Sequence, residues 1–188
     1  MQQIRQQLEL NSKMPDEDWA VFESYLERHE YAKGSLILHA GEVEKYLSFI
    51  EEGMIRYFIP DEVKEITFGF SFDGEFASAY DSFLMQSPCT YAVQALSKVV
   101  VWRISYHDLQ TVYALTQTGN NVGRRAGEGL FLIKSAREIS LLKDNAEERY
   151  LKLFKTRPGL FRQIPLKYIA SYIGITPQAL SRIRRRIS

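Results

Sequence analysis

The sequence predicts an α+β chain, an N-terminal antiparallel β-roll followed by helices, and three observations carry that reading. Over Ile66–Phe72 the apolar residues Ile66, Phe68, Phe70 and Phe72 alternate with Thr67, Gly69 and Ser71, a period of two that lines one face of a strand and not one side of a helix. Similar short runs fill residues 33–103, separated by Gly34, Gly41, Gly53 and Gly74, as expected where many short strands roll or close into a barrel. After Ser105 the apolar spacing changes to steps of three and four, and the chain ends in a segment, 157–188, with seven basic and no acidic residues. That leaves 17 basic and 23 acidic residues in 1–156, so a body of net charge −6 carries an end of +7.

Pro15 and the acids Asp16, Glu17 and Asp18 suit the first turn of a helix, which continues through Trp19, Phe22, Tyr25 and Leu26. Strands are expected at 36–38, 46–50, 54–59, 66–72, 91–95 and 99–102, where apolar and aromatic residues cluster between turn signals. Ser105-Tyr106-His107-Asp108 reads as a capping box with Asp108 as a shortened Glu. Helix is expected from there to about Leu142, with a break near Gly119-Asn120-Asn121. Within it Val122, Ala126, Gly129 or Leu130, Ile133, Ala136 or Arg137, and Ser140 form a stripe. Either a second copy of the chain packs on this stripe, or the helix lays it on its own barrel. Asp144-Asn145-Ala146-Glu147-Glu148 opens another helix, carrying Tyr150, Leu151, Leu153 and Phe154, and Arg157-Pro158-Gly159 ends it. The expected organisation is a β-roll over 1–117, a linking helix over 118–143 and a helical unit over 144–188.

The basic end has internal order. Residues 164–173 read as a short helix with Ile169, Ala170 and Ile173 on one face, and Gly174 stops it because glycine accepts positive φ without a Cβ clash. Thr176 then suits an N-cap and Pro177 the first helical position. In the second helix Leu180, Ile183 and Ile187 face inward, which leaves Gln178, Ser181, Arg182 and Arg185 on the other side. Two short helices joined by a glycine turn, the second polar and arginine-rich, describe a helix-turn-helix whose second helix enters the major groove of double-stranded DNA. Arg182 has the chemistry to pair with guanine and Gln178 with adenine. A solvated basic helix is the plainer reading, but it requires neither the turn nor the inward apolar face.

Composition narrows the other classes. With 188 residues and 45% hydrophobic composition the chain is long and apolar enough for one core plus a small second unit. No run approaches the ~18 apolar residues of a membrane span, and the first residues lack a signal-peptide core, so a soluble, cytoplasmic protein with no membrane partner is expected. Cys89 is the single cysteine, which excludes an intrachain disulfide and a four-cysteine metal cluster; its place after Pro88 leaves a redox-sensitive thiol open. His29, His39 and His107 are scattered without metal-ligand spacing, and the carboxylates at 16–18 and 51–52 read as a helix start and a turn. No catalytic, metal or cofactor site is expected, and the chain is read as a non-enzyme.

In order, Lys33-Gly34, Gly41-Glu42, Tyr46-Leu47, Phe49-Ile50, Gly53, Ile55-Arg56, Gly74-Glu75-Phe76 and the terminal helix pair resemble Crp/Fnr-type transcription regulators from about Met14 onward. The wording of 168–177 is similar to short members from Bacteroidetes-type bacteria. The resemblance implies a cyclic-nucleotide-binding-like jelly roll over 1–117 as sensor, a dimerisation helix over 118–143 and a DNA-binding domain over 144–188, in a homodimer on double-stranded DNA. A small-molecule effector and RNA polymerase are the further partners to expect. A degenerate ligand-binding or protein-interaction module without regulated DNA binding is the competing function.

Two departures shape the expected sites. Members that bind cyclic AMP carry a Gly-Glu pair for the ribose and an Arg-Ser pair for the cyclic phosphate. Counted from Gly74-Glu75-Phe76, this chain has Ser78-Ala79 and Cys89-Thr90 there, so an effector other than cyclic AMP is expected. It would lie among Phe70, Phe72, Phe76, Tyr80, Thr90 and Tyr91, unless these aromatics simply fill the roll. The second departure is that the sequence ends directly after the second helix, without the β-hairpin wing of many relatives. The DNA-binding set is therefore Thr176, Gln178, Ser181, Arg182 and Arg185 with Lys167, Arg184 and Arg186, the last three for phosphate grip together with backbone N–H groups at helix starts.

Overall fold

The computed structural model describes residues 1–10, 13–62, 64–157 and 159–187. The chain divides into two compact units, one made of Met1–Tyr57 with Phe70–Gly129, the other of Phe58–Gly69 with the chain from Leu130 onward. The expected positions Pro158 and Ser188 lie outside the described residues.

The first unit opens with helices α1 (Gln2–Glu9) and α2 (Asp16–Ser24). Strands β1 (Glu27–Tyr31), β2 (Leu36–Leu38), β3 (Tyr46–Glu52), β4 (Met54–Ile59), β5 (Ile66–Phe72) and β6 (Phe76–Ala77) follow. Helix α3 (Tyr80–Met85), strands β7 (Ala92–Ala95) and β8 (Val99–Ser105), helix α4 (Tyr106–Leu115) and the start of α5 (Gly119–Lys143) complete it. The strands form two four-stranded sheets, ordered β1-β8-β3-β6 and β2-β7-β4-β5. Apart from β4 and β5, neighbours in each sheet are not consecutive in sequence, as the crossing connections of a roll require. Strand β8 runs antiparallel to both β1, with His29 opposite Val101, and β3, with Phe49 opposite Trp102. All four glycines that separate the expected strands take positive φ. At Gly53, with φ +109°, an added Cβ would stand 2.3 Å from the Lys98 carbonyl oxygen, so both the backbone angle and the close approach require glycine there.

Helices cover one sheet. Ile4, Trp19 and Phe22 from α1 and α2 bury against Phe49, Ile104, Phe83, Leu109, Val112 and Val122, all no more than 8% exposed. Within this helical layer Asp18 is buried and accepts Thr118 Oγ1–H at 2.6 Å, Thr118 N–H at 2.8 Å and Gln117 N–H at 3.3 Å. Those donors sit at the break between α4 and α5, where Thr116 Oγ1 also accepts the Gly119 N–H. The expected interruption near 119–121 thus falls at 116–118, bridged by a carboxylate from 100 residues earlier.

Two elements carry little periodic signal. Helix α1 anchors through Ile4 in an otherwise glutamine-rich stretch, and β1 has the charged sequence Glu-Arg-His-Glu-Tyr. A strand at a sheet edge needs charged residues to prevent further pairing; β1 has them, joined in surface ion pairs Arg28–Glu30 (2.7 Å) and Lys98–Glu30 (2.8 Å). At the start of α4, Ser105 Oγ accepts the Asp108 N–H at 3.0 Å, while the Asp108 carboxylate accepts the Ser105 hydroxyl at 2.6 Å. The shortened acid thus bonds the cap hydroxyl.

In the second unit α5 leads to α6 (Ala146–Thr156), α7 (Leu160–Gln163), α8 (Leu166–Ile173) and α9 (Pro177–Ile187). Asn145 caps α6 in a full capping box with Glu148. Leu160, Ile164, Ile169, Ala170, Ile173, Leu180 and Ile183 form the buried interior, each at most 8% exposed, with Tyr150 edge-on to Phe161 at 5.0 Å. The Thr67 N–H donates to Ser171 Oγ at 2.8 Å, tying the start of β5 to α8.

Because its hydrogen bonds hold the Asp18 carboxyl below the usual carboxylate range, the ionised form stabilises the fold. That contribution is complete above the unfolded pKa near 4 and disappears as pH falls through the lower folded value. Asp18→Ala is expected to cost about 1–2 kcal/mol at pH 7, since it removes three hydrogen bonds to a buried carboxylate and leaves the part-buried Thr118 donors unpaired. Urea unfolding at pH 7 and pH 3 checks this: the variant's deficit shrinks at the lower pH.

Candidate nucleic-acid interface and ligand cavity

The terminal helix pair is held by a cap, a turn and a packed face. Gly174, with φ +79°, closes α8 with its N–H on Ser171 O at 3.0 Å, while Ile175 N–H reaches Ala170 O at 2.9 Å. Thr176 Oγ1 then accepts the Ala179 N–H at 3.2 Å and starts α9. Arg149 Nε donates to Ile173 O at 2.8 Å, so a guanidinium from α6 satisfies a carbonyl at the end of α8. Arg137 acts similarly on Tyr172, donating to its carbonyl at 2.9 Å with the guanidinium 3.7 Å from the ring centroid.

With Leu180 and Ile183 buried, α9 turns Gln178, Ser181, Arg182 and Arg185 to solvent. Their spacing of i, i+3, i+4 and i+7 makes one exposed face. Thr176 and Lys167 are exposed as well, the latter with Nζ 4.9 Å from the Tyr168 ring. Arg184 is half-buried, and Arg186 is ion-paired with Glu147 of α6. The structure therefore groups the eight residues into an open face, two flanking positions and two arginines engaged within the unit.

Helix α5 carries a second exposed feature. Of the expected stripe, Val122 is buried, Arg137 is half-buried with Tyr172, and Ser140 donates to the Asp144 carboxylate. Ile133 of the same stripe is 69% exposed, and further exposed apolar groups lie on another face: Phe131, Leu132, Ile139 and Leu142, at 69, 67, 57 and 83%. Leu132, Ser135, Ile139 and Leu142 step by three, four and three, the spacing of a helix–helix seam.

The first unit holds a cavity of about 470 Å³, open to solvent and lined by residues of both sheets. Leu38, Ile55 and Val93 enter from one sheet and Val101 from the other, with Ile37 beside them. Tyr31, Tyr46, Ser48, Tyr57 and Ser78 supply hydroxyls, and Glu42, Glu44, Lys45 and Arg103 supply charge. Glu44 is buried; its carboxylate accepts N–H from Tyr46 at 3.0 Å and from Ala79, the residue before α3, at 3.3 Å. Burial outweighs these bonds and raises its pKa. The Tyr57 hydroxyl pairs with Ser71 at 3.2 Å, and burial pushes its pKa up to about 12.

The six aromatic and polar residues expected to meet an effector lie in the same unit but do not line this cavity. Phe76 packs edge-on to Phe49 at 5.3 Å, and Tyr80 stacks on Phe83 at 6.2 Å. Phe70 and Phe72 are half-buried neighbours at 6.4 Å. Thr90 is exposed, and the Tyr91 hydroxyl donates to Asp81 at 2.5 Å. The cavity residues that sequence reasoning passed over had one readable signal: Arg103 shares the period-two register of Val99 and Val101, an arginine at an inward strand position. Of the remaining candidates, His29 packs edge-on to Tyr31 at 4.6 Å, and the described residues hold no metal-binding group of three or more His, Cys, Asp or Glu.

The first unit is a two-sheet roll with this cavity between its sheets. Residues 28–115 match the family model of the cyclic nucleotide-binding domain, and this segment is the one that contains the cavity. No curated protein matches the sequence. Among solved structures, FixK2 from Bradyrhizobium japonicum is similar over 86% of this chain and 84% of its own, at 14% identity and TM-score 0.74. A putative Crp/Fnr-family regulator from Eubacterium rectale is similar over 92% and 83%, at 18% identity and 0.68. The c-di-GMP-responsive global regulator CLP of Xanthomonas campestris is similar over 92% and 91%, at 14% identity and 0.67. The likeness is one of fold, and it spans both units. No helix among the described residues is long and apolar enough to cross a membrane.

Cys89 is 3% exposed, and burial raises its thiol pKa; both oppose thiolate chemistry. A disulfide reagent at pH 7 is therefore expected to label Cys89 slowly in the native protein and within the mixing time in 6 M guanidinium chloride. Equal rates would show an exposed thiol.

Proposed function

We propose that the chain is a homodimeric, sequence-specific DNA-binding transcription regulator of the Crp/Fnr type, acting without catalysis. The observation that carries this reading is α9: a helix fixed by α8 through a tight turn, with a solvent face of Gln178, Ser181, Arg182 and Arg185, in a segment free of acids. Such a face suits direct readout, because Arg and Gln side chains pair bidentately with guanine and adenine edges. Lys167, Arg184 and Arg186 then serve the phosphates, which requires Arg186 to exchange Glu147 for the polyanion. The likeness of fold to regulators over both units supports the assignment, as does the cyclic nucleotide-binding-type roll preceding the helices.

Dimerisation through α5 follows from the exposed seam at Leu132, Ser135, Ile139 and Leu142, where a second copy of the chain would cover apolar surface that now faces water. Ile139→Glu places a charge in that seam and is expected to give a monomer by light scattering at micromolar concentration; an unchanged dimer would move the interface elsewhere.

Cyclic AMP is not the effector in this reading. The Ala79 N–H is already occupied by the Glu44 carboxylate and Cys89 is buried, so neither expected nucleotide anchor is present. Titration calorimetry is expected to show no saturable binding of cyclic AMP or cyclic GMP.

The DNA interface is tested by fluorescence anisotropy on duplexes over a range of salt. Affinity is expected to fall steeply with salt, because bound phosphates release counterions. Arg182→Ala should cost about 1–3 kcal/mol on cognate sequence and relax preference at one base position, whereas Lys167→Ala should weaken all sequences alike. Loss of cognate and random affinity in equal measure with Arg182→Ala would contradict its role, and salt-independent binding would favour a protein-interaction module.

A further inference from the structure

Four ionisable groups line the cavity between the sheets, and they are unequally satisfied. Glu42 accepts the His39 N–H at 2.8 Å, Glu44 accepts two backbone N–H groups, and Lys45 is exposed. Arg103 differs. Its side chain is only 18% exposed, yet its nearest acceptors are the Tyr31 hydroxyl at 3.5 Å and a Glu27 oxygen at 3.7 Å, and its Nε has no partner. A guanidinium presents five N–H donors in a planar fork, and leaving such donors unmet in a covered site is costly. That Nε is enclosed by protein, so the donors left for an acceptor in the cavity are the two terminal nitrogens, which hold only these long contacts.

The surroundings narrow that acceptor. The Tyr46 ring lies 4.1 Å from the guanidinium carbon and holds its plane. Glu42 and Glu44 disfavour a phosphate dianion more than a monoanion. The wall is otherwise branched and aliphatic, from Leu38, Ile55 and Val93 of one sheet and Val101 of the other, and a volume of about 470 Å³ admits a compact organic molecule.

We propose that this cavity binds a small organic monocarboxylate, its two oxygens on the Arg103 guanidinium and its apolar body against the aliphatic wall. The anchor is a residue of β8 and not of the segment that follows α3. The inference concerns the first unit alone and stands whether or not the chain binds DNA.

Calorimetry and thermal unfolding of the full chain with 4-methylpentanoate, phenylacetate and octanoate, each beside its primary amide, test it at pH 7. At least one acid is expected to bind saturably and raise the unfolding temperature, with its amide weaker by about tenfold or more, as loss of a charge-assisted pair requires. Arg103→Gln should weaken the acid far more than the amide, bringing the two affinities to within about threefold of each other. The proposal is overturned if acid and amide bind alike, if inorganic phosphate binds as tightly as the acids, or if none of the three acids binds up to about 10 mM, a concentration weaker than any useful site. Should Arg103→Gln fail to fold, the acid–amide comparison on the native protein decides alone.

Discussion

The molecule depends on the period of two along β8. One set of its side chains, Trp102 and Ile104, faces the helical layer with Phe49, Trp19 and Leu109; the alternate set, Val101 and Arg103, lines the cavity between the sheets. Because β8 pairs with β1 on one edge and β3 on the other, a slip of one residue would exchange core and cavity and put Arg103 among the helices. The apolar burial that fixes this register therefore also places a cation where a ligand can reach it. Stability and specificity share one strand.

A second constraint acts at the other end of the chain. Helix α9 is rich in arginine and, by composition, gains little from burial except through Leu180 and Ile183. Its position comes from α8, whose end is secured by Gly174 and by the Arg149 bond to Ile173 O. Charge repulsion among Arg182, Arg184, Arg185 and Arg186 is relieved within the unit where Arg186 meets Glu147; the field of Arg182 and Arg185 on the open face points outward. In the proposed function a polyanion would meet that field, and exchange of the Glu147 pair is a step that binding would have to include.

Much of this was legible in the sequence for physical reasons that differ by element. Strict alternation at Ile66–Phe72, positive-φ glycines and the Gly174–Thr176 turn are local signals, and each appears in the structure where the residues placed it. Charged β1 and glutamine-rich α1 were not legible, because their places are decided by partners far away, β8 for the one and, for the other, the core that Ile4 and Leu8 reach. The dimer seam was read on the face holding Val122, Ile133 and Ser140, since small residues permit close approach; the structure leaves Ile133 uncovered there and Phe131, Leu132, Ile139 and Leu142 uncovered on another face, and steps of three and four in sequence alone do not choose between two stripes. The cavity was the least legible feature. Which hydroxyls and charges surround a void depends on pairing between strands 50 or more residues apart, such as β3 with β8, and only the inward register of Arg103 hinted at it.

The central claim is that α9 reads base edges in a two-fold assembly. Selection of bound sequences from random duplex DNA by the full-length protein tests it most directly. The account predicts an enriched inverted repeat whose half-site centres lie about 10 bp apart, matching two recognition helices one helical turn apart. Recovery of unenriched sequence, or of a single unrepeated half-site, would contradict it.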